Sequence, residues 1–189
     1  MNTLDILIPT LNEPFYINRL KRLLDVLKPQ IAMFDGMVNY SINDAGRSMT
    51  TGTKRNLMVA ASQADYFVFI DSDDLVTPNY LFEIMPAINQ NPDCVTMCGW
   101  MTTDGVDKRD WTIKLGSDYK EVNRHYYRWP LHISVMKRSL VSHVKFPDKV
   151  TGEDFEWSKK IKELGLLKTE VHITNQIYFY DFISPKNRI

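Results

Sequence analysis

The sequence carries no surplus of charge of either sign: 23 Lys and Arg balance 23 Asp and Glu over 189 residues. A protein that works by neutralising a phosphate backbone carries a clear basic excess, so general nucleic-acid binding is not indicated. Cysteine is nearly absent. Cys94 and Cys98 lie four apart in an apolar stretch, and two thiols without a second pair make a poor zinc site. They read as buried free thiols of a reducing compartment. A long apolar run is missing as well. The opening MNTLDILIPTLNE is broken by Asp5, so neither a signal peptide nor a membrane span is expected, and the chain reads as cytoplasmic. There is no repeat, low-complexity tract or linker, which leaves a single domain over residues 1–189. What is abundant is apolar residues, 44% of the chain, enough to bury a core.

Strand and helix patterns alternate through the first half. Leu4 to Pro9 is a short apolar run closed by proline, hence a buried strand. Leu20, Leu23, Leu24 and Leu27 repeat at helical spacing, and Pro29 is expected to stop that helix. A strand is expected at Met37 to Ile42, a loop at Ala45 to Gly52, and a helix at Thr53 to Ala64 with Leu57, Met58, Ala61 and Ala64 inward. YFVFI, Tyr66 to Ile70, is apolar throughout and reads as a central strand covered on both faces. Thr77-Pro78 predicts the start of a helix buried along Leu81, Ile84, Met85 and Ile88. From Cys94 to Trp129 the pattern loosens into short strands and loops. A helix follows at Glu153 to Leu164, with Trp157, Ile161 and Leu164 inward and Gly165 as C-cap, then a last strand containing QIYFYDF. This is an α/β order with a mainly parallel sheet.

In open α/β sheets ligands collect outside the carboxyl ends of the strands. Asn12-Glu13, Asn43-Asp44 and Asp71-Ser72-Asp73-Asp74 all follow predicted strands at that edge. Three carboxylates in one turn repel one another unless a cation or donor groups compensate. Such an oxygen-rich cluster suits Mg2+ or Mn2+, which keep waters and complete their shell with substrate phosphates. A single aspartate there could be a helix cap; three are harder to explain so. Lys54 and Arg55 sit near a helix start, where a cation and the helix dipole both favour an anion.

Three segments taken in order, ILIPTLNE (Ile6 to Glu13), GTKRNLMVAASQADYFVFIDSDD (Gly52 to Asp74) and TGEDFEW (Thr151 to Trp157), closely resemble family 2 glycosyltransferases, over about three quarters of the chain. The resemblance implies a GT-A fold, a Rossmann-like mainly parallel sheet flanked by helices, with a nucleotide-binding half at 1–100 and an acceptor-binding half at 101–189. It implies a DxD motif at Asp71 and Asp73, with Asp73 the main ligand of Mn2+ or Mg2+ and Asp71 serving the ribose or the metal's water shell. Thr10 and Glu13 match the loop that cradles base and ribose, Asp44 the residue that reads the nucleobase, and Lys54-Arg55-Asn56 a helix start whose arginine holds the nucleotide. Glu153 and Asp154 match the ED motif: Asp154 as the base that takes the acceptor's proton in an inverting transfer, Glu153 positioning it or touching the acceptor. WPLHISVMKR, Trp129 to Arg138, looks like a stretch of short phage-type members, which suggests that His132 and Trp129 lie near donor sugar or acceptor.

The chain also departs from the family. Arg128-Trp129 precedes Glu153 where processive members carry an RW motif after it, so polymerisation is not expected. Tyr178-Phe179-Tyr180 stands where many relatives have a histidine, leaving Asp181, His172 or His132 as a third metal ligand. The aromatic residues Trp100, Trp111, Tyr126, Tyr127 and Trp129 do not name an acceptor, which could be a glycan or, for a phage-derived chain, a modified nucleic-acid base. Two other readings are a nucleotidyltransferase and a non-catalytic module that binds nucleotide-sugar or glycan. The first would favour a glycine- and lysine-rich loop, and Pro9 to Pro14 has neither residue. The second has no use for a positioned base at Asp154.

Overall fold

The computed structural model describes residues 1–188. From the N-terminus, β1 (Leu4–Pro9) leads through α1 (Pro14–Ala32), β2 (Val38–Asn43) and α2 (Thr51–Ala61) to β3 (Tyr66–Phe69). A short β4 (Leu75–Val76) precedes α3 (Tyr80–Ile88), β5 (Cys94–Thr103) and β6 (Val106–Ile113). Then come β7 (Lys120–Val122), β8 (His125–Arg128), β9 (Val135–Lys137), α4 (Arg138–Val141), α5 (Glu153–Glu163) and β10 (Glu170–Phe182). Among the described residues these ten strands form one sheet in the order β2-β1-β3-β9-β5-β6-β8-β7, with β10 also on β5 and β4 on β10. β1 pairs in parallel with β2 and β3, and the long ladder of β5 with β10 is parallel too. Strand β9 enters antiparallel between β3 and β5. This is the expected α/β architecture, a mainly parallel sheet with helices on its two faces.

Side-chain alternation along β1 sorts the core into two layers. Ile6 and Ile8 pack with Leu23 and Leu27 of α1 and Leu81 and Ile84 of α3. Leu7 faces the other way and joins Phe67 and Phe69 of β3, Met58 of α2, and Trp157 and Ile161 of α5. All four residues of β3 are buried, as its unbroken apolar run predicts for a strand covered on both faces. No described helix is long and apolar enough to cross a membrane.

Four expectations need correction. Helix α1 runs through Pro29. Pro29 and Asp25 both lie on the exposed face, so the hydrogen bond that proline deletes falls on a carbonyl that water can reach. Gln30 meanwhile anchors the last turn: its amide nitrogen donates to Thr77 O at 3.0 Å, and its oxygen accepts from Leu81 N at 2.9 Å. Leu57 and Leu164, expected inside, are 49% and 48% exposed; Leu57 is one step off the buried face of α2 at Met58, and Leu164 is the C-cap, past the end of α5. Short strands and loops appear only after Ile113, as β7 and β8; before them β5 and β6 form a long hairpin, closed by Asp104 and Gly105 with φ of 52° and 77°. An Asp-Gly pair is the usual chemistry of such a turn. Helix α3 begins at Tyr80, because the chain before it is held as strand: Leu75 and Val76 pair with β10, and Thr77 N bonds to Ile177 O.

The loop that delivers α5 docks on the first turn of α2. Thr50 and Thr53 hydroxyls both donate to Asp148 Oδ1, at 2.5 and 2.8 Å, and Gly52 N bonds to Lys149 O at 3.0 Å. A Cβ on Gly52 would lie 1.9 Å from Pro147 O, a backbone atom that cannot step aside alone. We therefore expect Gly52→Ala to destabilise the protein by about 1–3 kcal/mol, measured by urea denaturation; unchanged stability would show that this loop does not bear on α2.

Candidate functional site

The turn beyond β3 and the head of α5 converge on one guanidinium. Arg55, from α2, is 2% exposed. Its Nη2 lies 2.7 Å from Asp71 Oδ1, just beyond β3, and its Nη1 lies 2.7 Å from Glu153 Oε1 at the start of α5. The rings of Phe69 and Phe146 flank it, with centroids 5.4 and 5.6 Å from its central carbon, a favourable setting for a buried cation.

His132 continues the chain of charges. Its Nε2 is 3.1 Å from Asp71 Oδ2, and its Nδ1 is 3.1 Å from Asp154 Oδ2. The second contact is close enough for charge pairing, but Nδ1 is not aligned there as a hydrogen-bond donor. Burial and Arg55 both lower the imidazole's pKa, yet Asp71 and Asp154 outweigh them and the result is raised. Burial likewise works against ionisation of Asp71 and Asp154. Arg55 and His132 nonetheless hold Asp71 well below the usual carboxylate range, and His132 brings Asp154 to about 2. Glu153 goes the other way, raised by burial in spite of Arg55.

The three aspartates of the Asp71–Asp74 turn thus have three different fates. Asp71 is paired. Asp74 is buried and accepts from Tyr178 Oη at 2.6 Å and Asp181 N at 3.3 Å, which ties β10 to the turn. Burial and the neighbouring carboxylates push it well above the ordinary range. Asp73 has no ion-pair partner among the described residues; its backbone carbonyl accepts from Arg19, and its carboxyl is pushed up to about 6 by burial and by Asp71. Among the described residues no three His, Cys, Asp or Glu side chains are grouped as a metal cage. The residues still fit a magnesium-like ion, which is commonly held by one or two carboxylates together with substrate phosphates. Asp73 is the uncompensated carboxylate of the turn.

The remaining site residues fall into two groups. Lys54 is buried, donates from Nζ to Thr10 O at 2.6 Å and feels the Asp44 charge, while burial lowers its pKa. Thr10, Lys54 and Asp44 therefore meet past the ends of β1 and β2. Glu13 holds Arg47 through two bonds, of 2.6 and 3.1 Å, across the same loops. Of the two other alternative third ligands, Asp181 lies beside the turn, its amide on Asp74 and its carboxylate on the Arg19 that holds the Asp73 carbonyl, and His172 lies away from it. Asp181 is bound to Arg19 at 2.8 Å and to Thr102, and His172, near the opposite end of β10, bonds to Thr96. Trp129 is buried with Lys162 over its ring and does not line the cavity.

That cavity, of about 310 Å³, opens beside Asp71, His132 and Asp154. Its other walls include Tyr119 and Phe155, which sequence reading did not single out, and Arg128, Tyr178 and Tyr180, which it named only as departures from family motifs. Phe155 follows the ED pair directly, and Tyr178 and Tyr180 are two apart on one strand face. Those two signals were in the sequence. Nothing local marks Tyr119, which arrives on the loop before β7.

Comparison with known proteins places this geometry. The family described as Glycosyl transferase family 2 matches residues 47–147. The structure of S. aureus TarS 1-349 in complex with UDP-GlcNAc is similar over 98% of this chain and 60% of that one, with a TM-score of 0.68 at 13% identity. The same TarS segment in complex with UDP gives 0.67 at 15% identity, covering 98% of this chain and 62% of that one. The chain thus spans about 60% of the length of those structures, and likeness at this identity concerns the fold. No curated protein matches by sequence.

Because Arg55 is shared by two buried carboxylates, Arg55→Met should leave Glu153 without a counter-charge and Asp71 with His132 alone. A loss of about 3–5 kcal/mol in urea denaturation is expected, whereas a loss below 1 kcal/mol would mean that the pairs are not sustained in solution.

Proposed function

The chain belongs to glycosyl transferase family 2, and from that premise we propose that it transfers a sugar from a nucleotide-sugar donor to an acceptor hydroxyl, with a divalent cation and with inversion. The observation that carries this reading is the state of Asp154. It faces the cavity, is ionised, and is linked through His132 to the aspartate two residues before Asp73. A base must reach the acceptor's proton before its pKa matters, and the cavity gives Asp154 that access. Its low pKa belongs to the ligand-free protein. A donor diphosphate placed nearby would add negative charge and raise it, since a like charge disfavours the ionised form.

A single displacement with inversion is the reading that the free carboxylates support, with Asp73 assigned to the cation and Asp154 left to act as base. Double displacement needs a second carboxylate as nucleophile. Asp71 and Glu153 are bound to Arg55, and Asp74 to Tyr178. Asp154 then serves as base in a single displacement, and Glu153 positions it through Arg55 rather than by touching substrate. Thr10, Glu13, Asp44 and Lys54 form the nucleotide side, within residues 1–100; Arg55 acts there through Asp71. Residues 101–189 shape the acceptor side. A cation at Asp73 would supply positive charge to the departing nucleoside diphosphate. The relatives bound to UDP and UDP-GlcNAc make a UDP-sugar the first donor to test.

Asp73→Asn should weaken UDP binding in the presence of Mn2+ roughly tenfold or more, the worth of one charge-assisted contact, as read by calorimetry. Equal affinities, or equal wild-type affinity in EDTA, would place the cation elsewhere or dispense with it.

Asp154→Asn keeps the side chain's shape but cannot take a proton. UDP release from UDP-GlcNAc should slow by about 10²–10⁴ while UDP affinity stays near wild type. Near-normal turnover would remove Asp154 from the chemistry, and absence of turnover in the wild type would favour a module that only binds.

A further inference from the structure

Resting on the glycosyl-transfer reading, we propose that the cavity beside Asp154 takes an acidic sugar unit, its carboxylate or phosphate held by Arg128 and one hydroxyl turned to Asp154. Arg128 ends β8 and lines that cavity. Only its Nη1 is engaged, donating to Tyr127 O at 2.8 Å and, more weakly, to Lys120 O at 3.4 Å. Nε and Nη2 have no protein acceptor among the described residues. Its central carbon lies 4.8 Å from the Tyr126 ring and 5.1 Å from the Tyr119 ring.

Other arginines around this sheet are differently placed. Arg109 is paired with Asp107 and Glu121, Arg19 with Asp181, and Arg55 with Asp71 and Glu153. Arg128 has no carboxylate within ion-pair distance among the described residues, although it shares a cavity with Asp71, Asp74 and Asp154. A guanidinium held between aromatic faces is positioned before any ligand arrives and stays charged at every accessible pH. Its free edge matches the planar fork of a carboxylate or the oxygens of a phosphate.

The rest of the cavity sets the orientation. An anionic substituent is repelled by the Asp71 and Asp154 charges and attracted by Arg128, so it settles at the arginine. That leaves a ring hydroxyl for the carboxylate of Asp154. Trp111, Tyr119 and Phe155 offer aromatic walls to the ring between them. A volume of about 310 Å³ lies at the lower end for small-molecule sites, roughly 300–1,000 Å³, and suits one sugar ring better than a whole nucleotide. The same chemistry serves an acidic acceptor or an acidic donor sugar.

The test compares acidic with neutral sugars, by chemical-shift titration of wild type, Arg128→Gln and Arg128→Lys. One arm uses glucose, glucuronate and glucose 6-phosphate with UDP and Mg2+ already bound; the other uses UDP-glucose against UDP-glucuronate. Wild type should prefer the acidic member roughly tenfold or more, Arg128→Gln should bring the pair near parity, and Arg128→Lys should keep part of the preference. Preference in the first arm assigns the acid to the acceptor, and in the second to the donor sugar. Parity in both arms, including no detectable binding, overturns the proposal, as does a preference that survives in Arg128→Gln. Should that variant fail to fold, an undiminished preference in Arg128→Lys, where the planar fork is lost, overturns it equally. UDP titration of wild type is the separate control: its failure counts against the glycosyl-transfer reading, and the acid-to-neutral comparison of free sugars is then made without UDP and read independently.

Discussion

A single buried cation, Arg55, decides how the acidic residues of this protein are arranged. Charges are seldom buried unless paired, because desolvation costs several kcal/mol per ion. Arg55 meets that cost with two carboxylates from different elements, Asp71 beyond β3 and Glu153 at the head of α5. Lysine would not substitute, since one ammonium lacks the planar fork that reaches both partners at 2.7 Å. The arginine thereby joins α2 and the central strand that follows it to α5, which lies far along the sequence. Where Arg55 goes, Asp71 and Glu153 follow.

The consequences spread outward in order. With one oxygen of Asp71 on Arg55 and the other on His132, that aspartate is fixed, and Asp73 becomes the unpaired carboxylate of the turn. His132 carries the link on to Asp154. Tyr178 and Arg19 anchor the turn from β10 and α1, through Asp74 and the Asp73 carbonyl. The DSDD segment is therefore not three equivalent metal ligands. It is one charge-paired residue, one unpaired residue and one structural residue, distinguished by what packs against each.

Much of the scaffold was legible because it rests on local pattern. YFVFI gave the buried central strand, and Leu81, Ile84, Met85 and Ile88 gave the inner face of α3, since period and hydrophobicity alone determine those outcomes. The larger misreadings come from long-range contact, whereas Leu57 and Leu164 were misplaced locally, by helix phase and helix end. Pro29 fails to end α1 because Gln30 bonds to a chain 47 residues away. The strands after Cys94 are long because β10 supplies a partner that arrives 76 residues later. At the site, the acidic motifs and Lys54-Arg55 were visible as residue types, but Arg55 read as a nucleotide contact. Its carboxylate partners are 16 and 98 residues distant, and no spacing rule connects them. Arg128 was noticed only for its place in the motif order; its freedom from ion pairing is a property of the folded chain.

The claim that Arg55 unites the site is tested most directly by a double-mutant cycle on Arg55 and Asp71, using Arg55→Met, Asp71→Asn and the pair, with unfolding free energies from urea denaturation. If the two are one buried charge pair, removing Asp71's charge from the Arg55→Met background removes an orphaned anion. The double variant should then be at least as stable as Arg55→Met alone, with a coupling energy of about 1 kcal/mol or more. Strict additivity of the two single losses would contradict the account, because it would mean that the guanidinium and the carboxylate stabilise the protein independently.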